Sequence, residues 1–216
     1  MKLEFAELWS DLPSEIRWMF ESHSTMIEMK RSDIVYRQDD EPRGIYFVKS
    51  GLVGLTKSGV SGKEHLLRFF KQGQFFGHRA LFSKENYHAS AVVLEPTTLK
   101  LVPKATILSA LEKEPKLYSE IVLVLARELR RCENQHVMIL DNQITTRVAQ
   151  GLLYLKDLHP DHNWTRQEIA NFCASTVSTV IKSLAELESM NLIEQTGRSI
   201  HIKNREKLIA LQDDEG

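Results

Sequence analysis

The sequence predicts an α+β fold in three consecutive parts: an antiparallel β region, one long helix, and a small helical region closed by a hairpin. Three observations carry this. Between Met26 and Val102, short apolar or alternating runs recur, punctuated by glycines at 44, 51, 54, 59, 62, 73 and 77, the texture of strands separated by turns. From Lys116 to Asn142 no glycine or proline interrupts the chain. Beyond Gln143 apolar residues return at helical spacing, and two alternating runs then flank Gln195-Thr196-Gly197-Arg198, a hairpin signal. The expected domains are residues 1–115, 116–142 and 143–216.

Residues 3–24 open with helical signals: Ser10-Asp11 precede Pro13, and Leu12, Ile16, Met19 and Phe20 recur at helical spacing. The strand candidates follow as Ile34–Tyr36, Ile45–Val48, Leu52–Leu55, His65–Phe69, Ala91–Leu94 and Thr98–Val102, which read together as a compact antiparallel barrel or sandwich. Helix returns at Lys104–Lys113 and stops at Pro115. In the long helix Tyr118, Val122, Leu125, Leu129, Cys132, His136, Ile139 and Gln143 alternate steps of four and three. That is a heptad seam, and it predicts a parallel helix pair across a homodimer. The alternative packs the helix on its own barrel, for which Ile121, Leu123, Val124 and Leu140 lie off the seam.

The stretch Trp164–Glu188 carries the chemistry. Thr165 with Glu168 three residues on is a capping box, opening a helix from Arg166 to about Phe172. Ala174 and Ser175 allow a tight turn, and Thr176 caps a second helix whose buried side is Val180, Leu184 and Leu187. This is helix-turn-helix spacing, in which the second helix enters a DNA major groove by its N-terminal end. The hairpin after Glu194 supplies a wing. From Ile169 to Ala185 the only charge is Lys182, and Ser175, Thr176, Ser178, Thr179 and Ser183 offer neutral donors to phosphates and base edges.

Composition sets the limits. With 216 residues, 28 Lys and Arg against 29 Asp and Glu, and 42% hydrophobic residues, the chain reads as a soluble globular protein of net charge -1. Neutrality alone argues against nucleic acid, and residues 143–216 are the more acidic part, with eight Lys and Arg against ten Asp and Glu. But three of those acids form the tail Asp213-Asp214-Glu215, and none lies between Ile169 and Ala185. No apolar run approaches the ~18 residues of a membrane span. The start, Met1-Lys2-Leu3-Glu4-Phe5, is acidic too early and apolar too briefly for a signal peptide. Two cysteines, Cys132 and Cys173, exclude a disulfide framework and an all-cysteine iron–sulfur site within one chain, and point to a reducing, cytoplasmic setting. Cys173 reads as core. Cys132, on the seam, is placed to meet its symmetry mate. An enzyme is not expected: there is no phosphate-binding Gly-rich loop, no recognisable Ser-His-Asp arrangement and no His-Glu-x-x-His. Asp39-Asp40 and Asp213-Asp214 read as a solvated turn and tail.

Five segments occur in an order and spacing that resemble the CRP/FNR family of bacterial transcription regulators: Gly44–Gly51, Gly73–Gly77 with Ala80-Leu81-Phe82, Thr146–Gln150, Thr165–Ala170, and Asn191-Leu192-Ile193. The resemblance covers nearly the whole chain. It implies a cyclic-nucleotide-binding-like β-roll, a dimerisation helix with a hinge around Asp141–Ile144, and a winged helix-turn-helix. Its partners would be double-stranded DNA with two-fold-related half-sites, a second copy of the chain, and RNA polymerase. By the same resemblance, Arg166, Gln167, Thr176 and Thr179 match phosphate-holding positions, and Val177, Ser178 and Lys182 match base-reading ones. An apolar residue, a hydroxyl and a lysine stand where many members carry Arg, Glu and Arg. Val177 suits a thymine methyl and Lys182 a guanine or a phosphate.

The pocket departs from the cAMP-responsive pattern. Gly77 is followed by His78 where such members have glutamate, and Ala89-Ser90 stands where they have Arg-Ser. Cys132 and Glu133 replace two hydroxyl residues at the positions that meet adenine. Losing a hydrogen-bonded charge pair of this kind costs at least ~2–5 kcal/mol of affinity, so conventional cAMP is not the expected effector, although Arg79 offers an anion contact from a new direction. Three readings stay open: an effector-free regulator with an occluded pocket, a different small ligand, and a haem, metal or redox sensor using Cys132 and His136 at i, i+4 with His78 and His88. A ligand-binding module that acts on a partner protein without DNA is the rival reading of the whole chain. Lys182→Ala is expected to weaken specific binding to a selected operator by ~1–3 kcal/mol in a titration; unchanged affinity would remove Lys182 from the interface.

Overall fold

The computed structural model describes residues 12–211. The signals read at Ser10-Asp11, the first residues and the acidic tail fall outside them. The chain divides into two compact units that part between Arg127 and Glu128.

The first unit opens with α1 (Ser14–Ser22) and holds eight strands: β1 (Thr25–Met29), β2 (Ile34–Tyr36), β3 (Gly44–Ser50), β4 (Leu52–Ser58), β5 (Glu64–Lys71), β6 (Phe75–Phe76), β7 (Ser90–Val93) and β8 (Thr97–Pro103). They form two four-stranded antiparallel sheets, in the orders β1-β8-β3-β6 and β2-β7-β4-β5. Helix α2 (His78–Ser83) interrupts the strands, and α3 (Lys104–Lys113) follows them. The six sequence-read strands are all present. Strands β1 and β6 are additional; β6, with two residues, has no period for a sequence to display.

Strand β3 explains why its sequence is apolar without alternation. Tyr46 and Val48 point into the roll among Tyr36, Val53, Leu55, Phe70, Phe76, Tyr87 and Leu99. Ile45 and Phe47 point the other way, onto Ile16, Phe20, Ile107 and Leu111 of the flanking helices. A strand covered on both faces has no polar side to alternate with. Gly77 closes the turn into α2 at φ 89°, a left-handed conformation for which glycine is the ordinary residue.

Helix α4 (Leu117–Asp141) is the long helix, and it breaks at Asn142–Gln143. Ile121 packs against the apolar cluster under β3, as expected for an off-seam residue. Leu123 and Leu140 do not share that contact and stay exposed; Leu123 lies about 200° around the helix from Ile121, on another face.

The second unit contains α5 (Ile144–Leu158), α6 (Arg166–Phe172), α7 (Val177–Ser189), the hairpin β9 (Ile193–Thr196) and β10 (Ser199–Ile202), and α8 (Arg205–Ala210). Its core is Val148, Leu152, Leu155, Trp164, Ile169, Val180, Leu184, Leu187 and Leu208, all buried. The three helices approach closely where α5 meets the end of α6. A Cβ built on Gly151 would stand 2.5 Å from Cys173 Sγ, so the absent side chain sets the helix spacing. Cys173 is core, as read, and burial pushes its thiol up to about 12, against the lowering by Arg147. No helix among the described residues is long and apolar enough to cross a membrane.

In an open helix Gly→Ala gains about 1 kcal/mol. Here overpacking opposes it by about 1–3 kcal/mol. Gly151→Ala is therefore expected to lower the urea midpoint of the chain, and Cys173→Ala, which removes the obstructing sulfur, to restore part of the loss in the double variant.

Candidate nucleic-acid interface and sensory pocket

The interface begins with a helix cap. Thr165 Oγ1 accepts the Glu168 backbone N–H at 3.1 Å, while Glu168 Oε2 accepts the Thr165 N–H at 2.8 Å. The capping box read from the sequence is thus complete. The same carboxylate oxygen accepts from His162 Nε2 at 3.3 Å, and the His162 ring stands edge-on to Trp164 at 4.4 Å. Burial pushes the Glu168 carboxyl up, but the hydrogen bonds from His162 and Thr165 outweigh it and hold the group below its ordinary value. The polar loop before α6, with no chemistry assigned to it from sequence, is therefore what anchors the first helix. Its signal was His162 six residues before a capping glutamate, a spacing with no periodic meaning.

The turn between α6 and α7 places Ala174 at φ 52°, a strained choice that only a small side chain tolerates well. Thr176 then caps α7: its Oγ1 accepts the Thr179 N–H at 3.2 Å and lies 3.0 Å from Ser178 Oγ and 2.8 Å from Thr179 Oγ1. Thr176, Ser178 and Lys182 are exposed, and Val177 and Thr179 half-buried. The hydroxyls thus gather at the N-terminus of a helix of 13 residues, where backbone N–H groups and the helix dipole favour an anion.

The other two phosphate candidates, Arg166 and Gln167, have internal partners too. Arg166 donates to Arg198 O at 2.5 Å and Gln195 Oε1 at 2.7 Å, so it braces the wing turn. Gln195 is held in turn by Glu188, which accepts both its backbone N–H at 2.6 Å and its side-chain amide at 3.0 Å. Gln167 donates to Asn171 Oδ1 at 2.7 Å. An arginine has five N–H donors, so bracing the wing leaves capacity for a phosphate. No sequence signal marks Glu188 and Gln195, because their pairing joins a helix end to a hairpin and exists only once both have formed.

At the other end of the unit, Thr145 Oγ1 lies 2.7 Å from Glu186 Oε2 and 3.2 Å from Ser183 Oγ of α7. Arg147 donates to Ile139 O at 3.0 Å, and Asn142 to Met138 O at 3.0 Å. The break between α4 and α5 is thereby tied on one side to the last turn of α4 and on the other to α7.

In the first unit, Gly77, His78, Arg79 and Ala89 line one cavity with Tyr36, Leu55, Phe70, Phe76, Ala80, Tyr87 and His88. It measures about 20 Å³, room for a water molecule and far less than a nucleotide needs. Aromatic rings fill the space: Tyr36 and Tyr87 stack at 3.5 Å, Tyr46 and Phe76 at 5.2 Å, Phe70 and Phe76 at 5.0 Å. Ala89, at the position expected of an arginine, is a core residue. The Ser90 hydroxyl accepts the Gln38 N–H at 2.9 Å. Burial, then the Arg79 charge, pushes His88 below its ordinary value. Cys132, Glu133 and His136 are exposed on α4. Among the described residues no group of three or more His, Cys, Asp or Glu side chains converges as a metal site.

Residues 26–114 match the family model of the cyclic nucleotide-binding domain, and residues 146–211 that of the Crp-like helix-turn-helix domain. A CRP-like cAMP-activated global transcriptional regulator of Mycobacterium tuberculosis is 25% identical over 191 residues, 84% of this chain and 85% of the relative. The transcriptional regulator LdrP of Thermus thermophilus is 28% identical over 200 residues, 88% and 97% of the two chains. Among solved structures, a protein assigned to the crp/fnr regulators from Eubacterium rectale superposes with a TM-score of 0.81 over 97% of this chain and 99% of that one, at 17% identity; a likeness at that identity shows the fold.

The cap makes the second unit acid-sensitive. Because the folded chain holds Glu168 below its ordinary value of 4.5, its stabilisation is complete above that pH and is lost as pH falls through the lower folded value. Glu168→Gln is expected to lose on the order of 1–2 kcal/mol at pH 7 and to show a shallower decline in urea stability from pH 5 to pH 3 than the parent chain.

Proposed function

This chain belongs to the CRP/FNR family of transcription regulators, DNA-binding proteins and not enzymes, and on that premise we propose that it works as a homodimer that reads a two-fold-related operator and does not answer to conventional cAMP. The observation that carries the dimer is the seam of α4. Tyr118, Val122 and Leu129 are 50%, 62% and 60% exposed, Cys132 and His136 are exposed with them, and Leu125 and Ile139 are half-buried. A row of apolar side chains at heptad spacing, left open along one helix, is the surface a second copy covers. Two recognition helices would then meet successive major grooves, with half-sites about one helical turn apart. Arg166, Gln167, Thr176 and Thr179 take phosphates in this reading, and Val177, Ser178 and Lys182 face bases.

Coupling between the parts runs through the break after Asp141. Arg147 and Asn142 fasten it to α4, and Thr145 fastens it to Ser183 and Glu186 of α7. A change in α4 geometry therefore reaches the recognition helix through hydrogen bonds rather than a slack linker. The β-roll supports an effector-free reading, because its interior is already packed with Tyr36, Tyr46, Phe70, Phe76 and Tyr87. RNA polymerase is the expected downstream partner.

Selection from a random DNA pool, with sedimentation of the same protein, tests this directly. The full chain is expected to sediment as a dimer and enrich a two-fold-related motif. Leu129→Glu is expected to sediment as a monomer and to bind that motif about a hundredfold more weakly, since one half-site no longer helps the other. Millimolar cAMP should leave operator affinity unchanged. A monomeric parent chain would sink the dimer, a pool without enrichment would sink DNA reading, and a cAMP-dependent gain in affinity would sink the effector reading.

A further inference from the structure

The recognition helix carries one large apolar side chain that is exposed and to which neither base nor phosphate has been assigned. At about 100° per residue, Ser178, Ile181, Lys182 and Ala185 share one arc of α7, opposite the buried Val180, Leu184 and Leu187. Ile181 is 52% exposed. A lone exposed aliphatic residue is ordinary on a protein surface, but this one has a particular setting. Its neighbours on the arc, Ser178 and Ala185, are short, so Ile181 and Lys182 reach furthest from the helix. The hydroxyls of Thr176 and Thr179 stand at the same helix's N-terminus. No carboxylate lies between Ile169 and Ala185 to repel a phosphate.

The geometry points to Ile181 as a specificity-determining residue that recognises the C5-methyl group of thymine in the major groove. The inference rests on the DNA-reading proposal above and deepens it. The four base pairs present donors, acceptors and a single apolar group on their major-groove edges, and that group is the thymine methyl. An isoleucine cannot answer a donor or an acceptor. Set against guanine N7 and O6 or the cytosine amine, it would strip water from a polar atom and return no hydrogen bond. Against thymine it buries methyl on methyl. With Lys182 as the one cation and Ser178 as the one hydroxyl of the arc, the reading face selects through apolar shape at one position and through donors at its neighbours. Operator half-sites should therefore hold a thymine, on either strand, beside the base met by Lys182.

The test uses the full chain and the operator recovered by selection. Each thymine of a half-site is replaced in turn by deoxyuridine, which removes the C5-methyl and keeps the Watson–Crick pair. The parent chain is expected to lose about fourfold in affinity per half-site at one symmetric position, the equivalent of one buried methyl-sized group. Ile181→Ala, an exposed substitution with the core untouched, is expected to bind the thymine and deoxyuridine operators alike at that position. Val177→Ala should keep the discrimination at the Ile181 position. Equal binding of every deoxyuridine operator by the parent chain would overturn the inference, and so would an Ile181→Ala variant that still discriminates at all positions. A pool that yields no motif would instead overturn DNA reading itself, and this inference with it.

Discussion

The DNA-binding unit hangs on one buried carboxylate. Glu168 closes the cap of α6 by accepting the Thr165 N–H, and it also receives His162, whose ring leans on the fully buried Trp164. A buried charge is tolerated only when its hydrogen bonds are supplied, and here the loop before α6 supplies them. The first helix is thereby pinned at its start. At its other end, Cys173 seats against the bare Gly151 of α5. With both ends held, α6 and α5 together present one apolar surface, and α7 docks on it through Val180, Leu184 and Leu187. The uncovered face of α7 is what remains, so the surface open to a partner follows from how the opposite surface is buried.

The wing is held by a separate chain of bonds. Glu188 near the end of α7 grips Gln195, and Gln195 with the wing turn grips Arg166 at the start of α6. Helix start, recognition-helix end and hairpin thus form one closed polar loop around the apolar core. Such a loop resists independent movement of the wing, because opening it leaves a guanidinium and a carboxylate short of partners at once. The same economy appears at the break after Asp141, where Arg147 satisfies a carbonyl that the end of α4 would otherwise leave to water.

The β-roll presents the opposite condition. A domain matched by the cyclic nucleotide-binding model has an interior in which tyrosine and phenylalanine rings occupy the space, and Ala89 packs among them. Burial pushes the phenols of Tyr36, Tyr46 and Tyr87 up, so the rings remain neutral and pack as hydrophobes. His78 and Ala89 are legible in the sequence, but the aromatic filling is not, because Tyr36, Tyr46, Phe70, Phe76 and Tyr87 come from five separate segments and converge only when two sheets face each other.

What the sequence determined by itself was local or periodic. The strand runs, the breaks at Pro115 and Asn142, the Thr165–Glu168 cap, the Thr176 cap and the hairpin turn each depend on residues within a few positions of one another, where backbone geometry and side-chain reach are set by the chain itself. The heptad row on α4 belongs with them, since a helix converts spacing into a face. Tertiary structure alone decided the engagement of Arg166 by the wing, the Glu188–Gln195 clasp, the Gly151–Cys173 contact, the exposure of Leu123, Leu140 and Ile181, and the filling of the roll. Each of these joins or separates elements distant in sequence. No local preference encodes such a pairing, because its energy exists only after both partners have been brought together and water has been driven from between them.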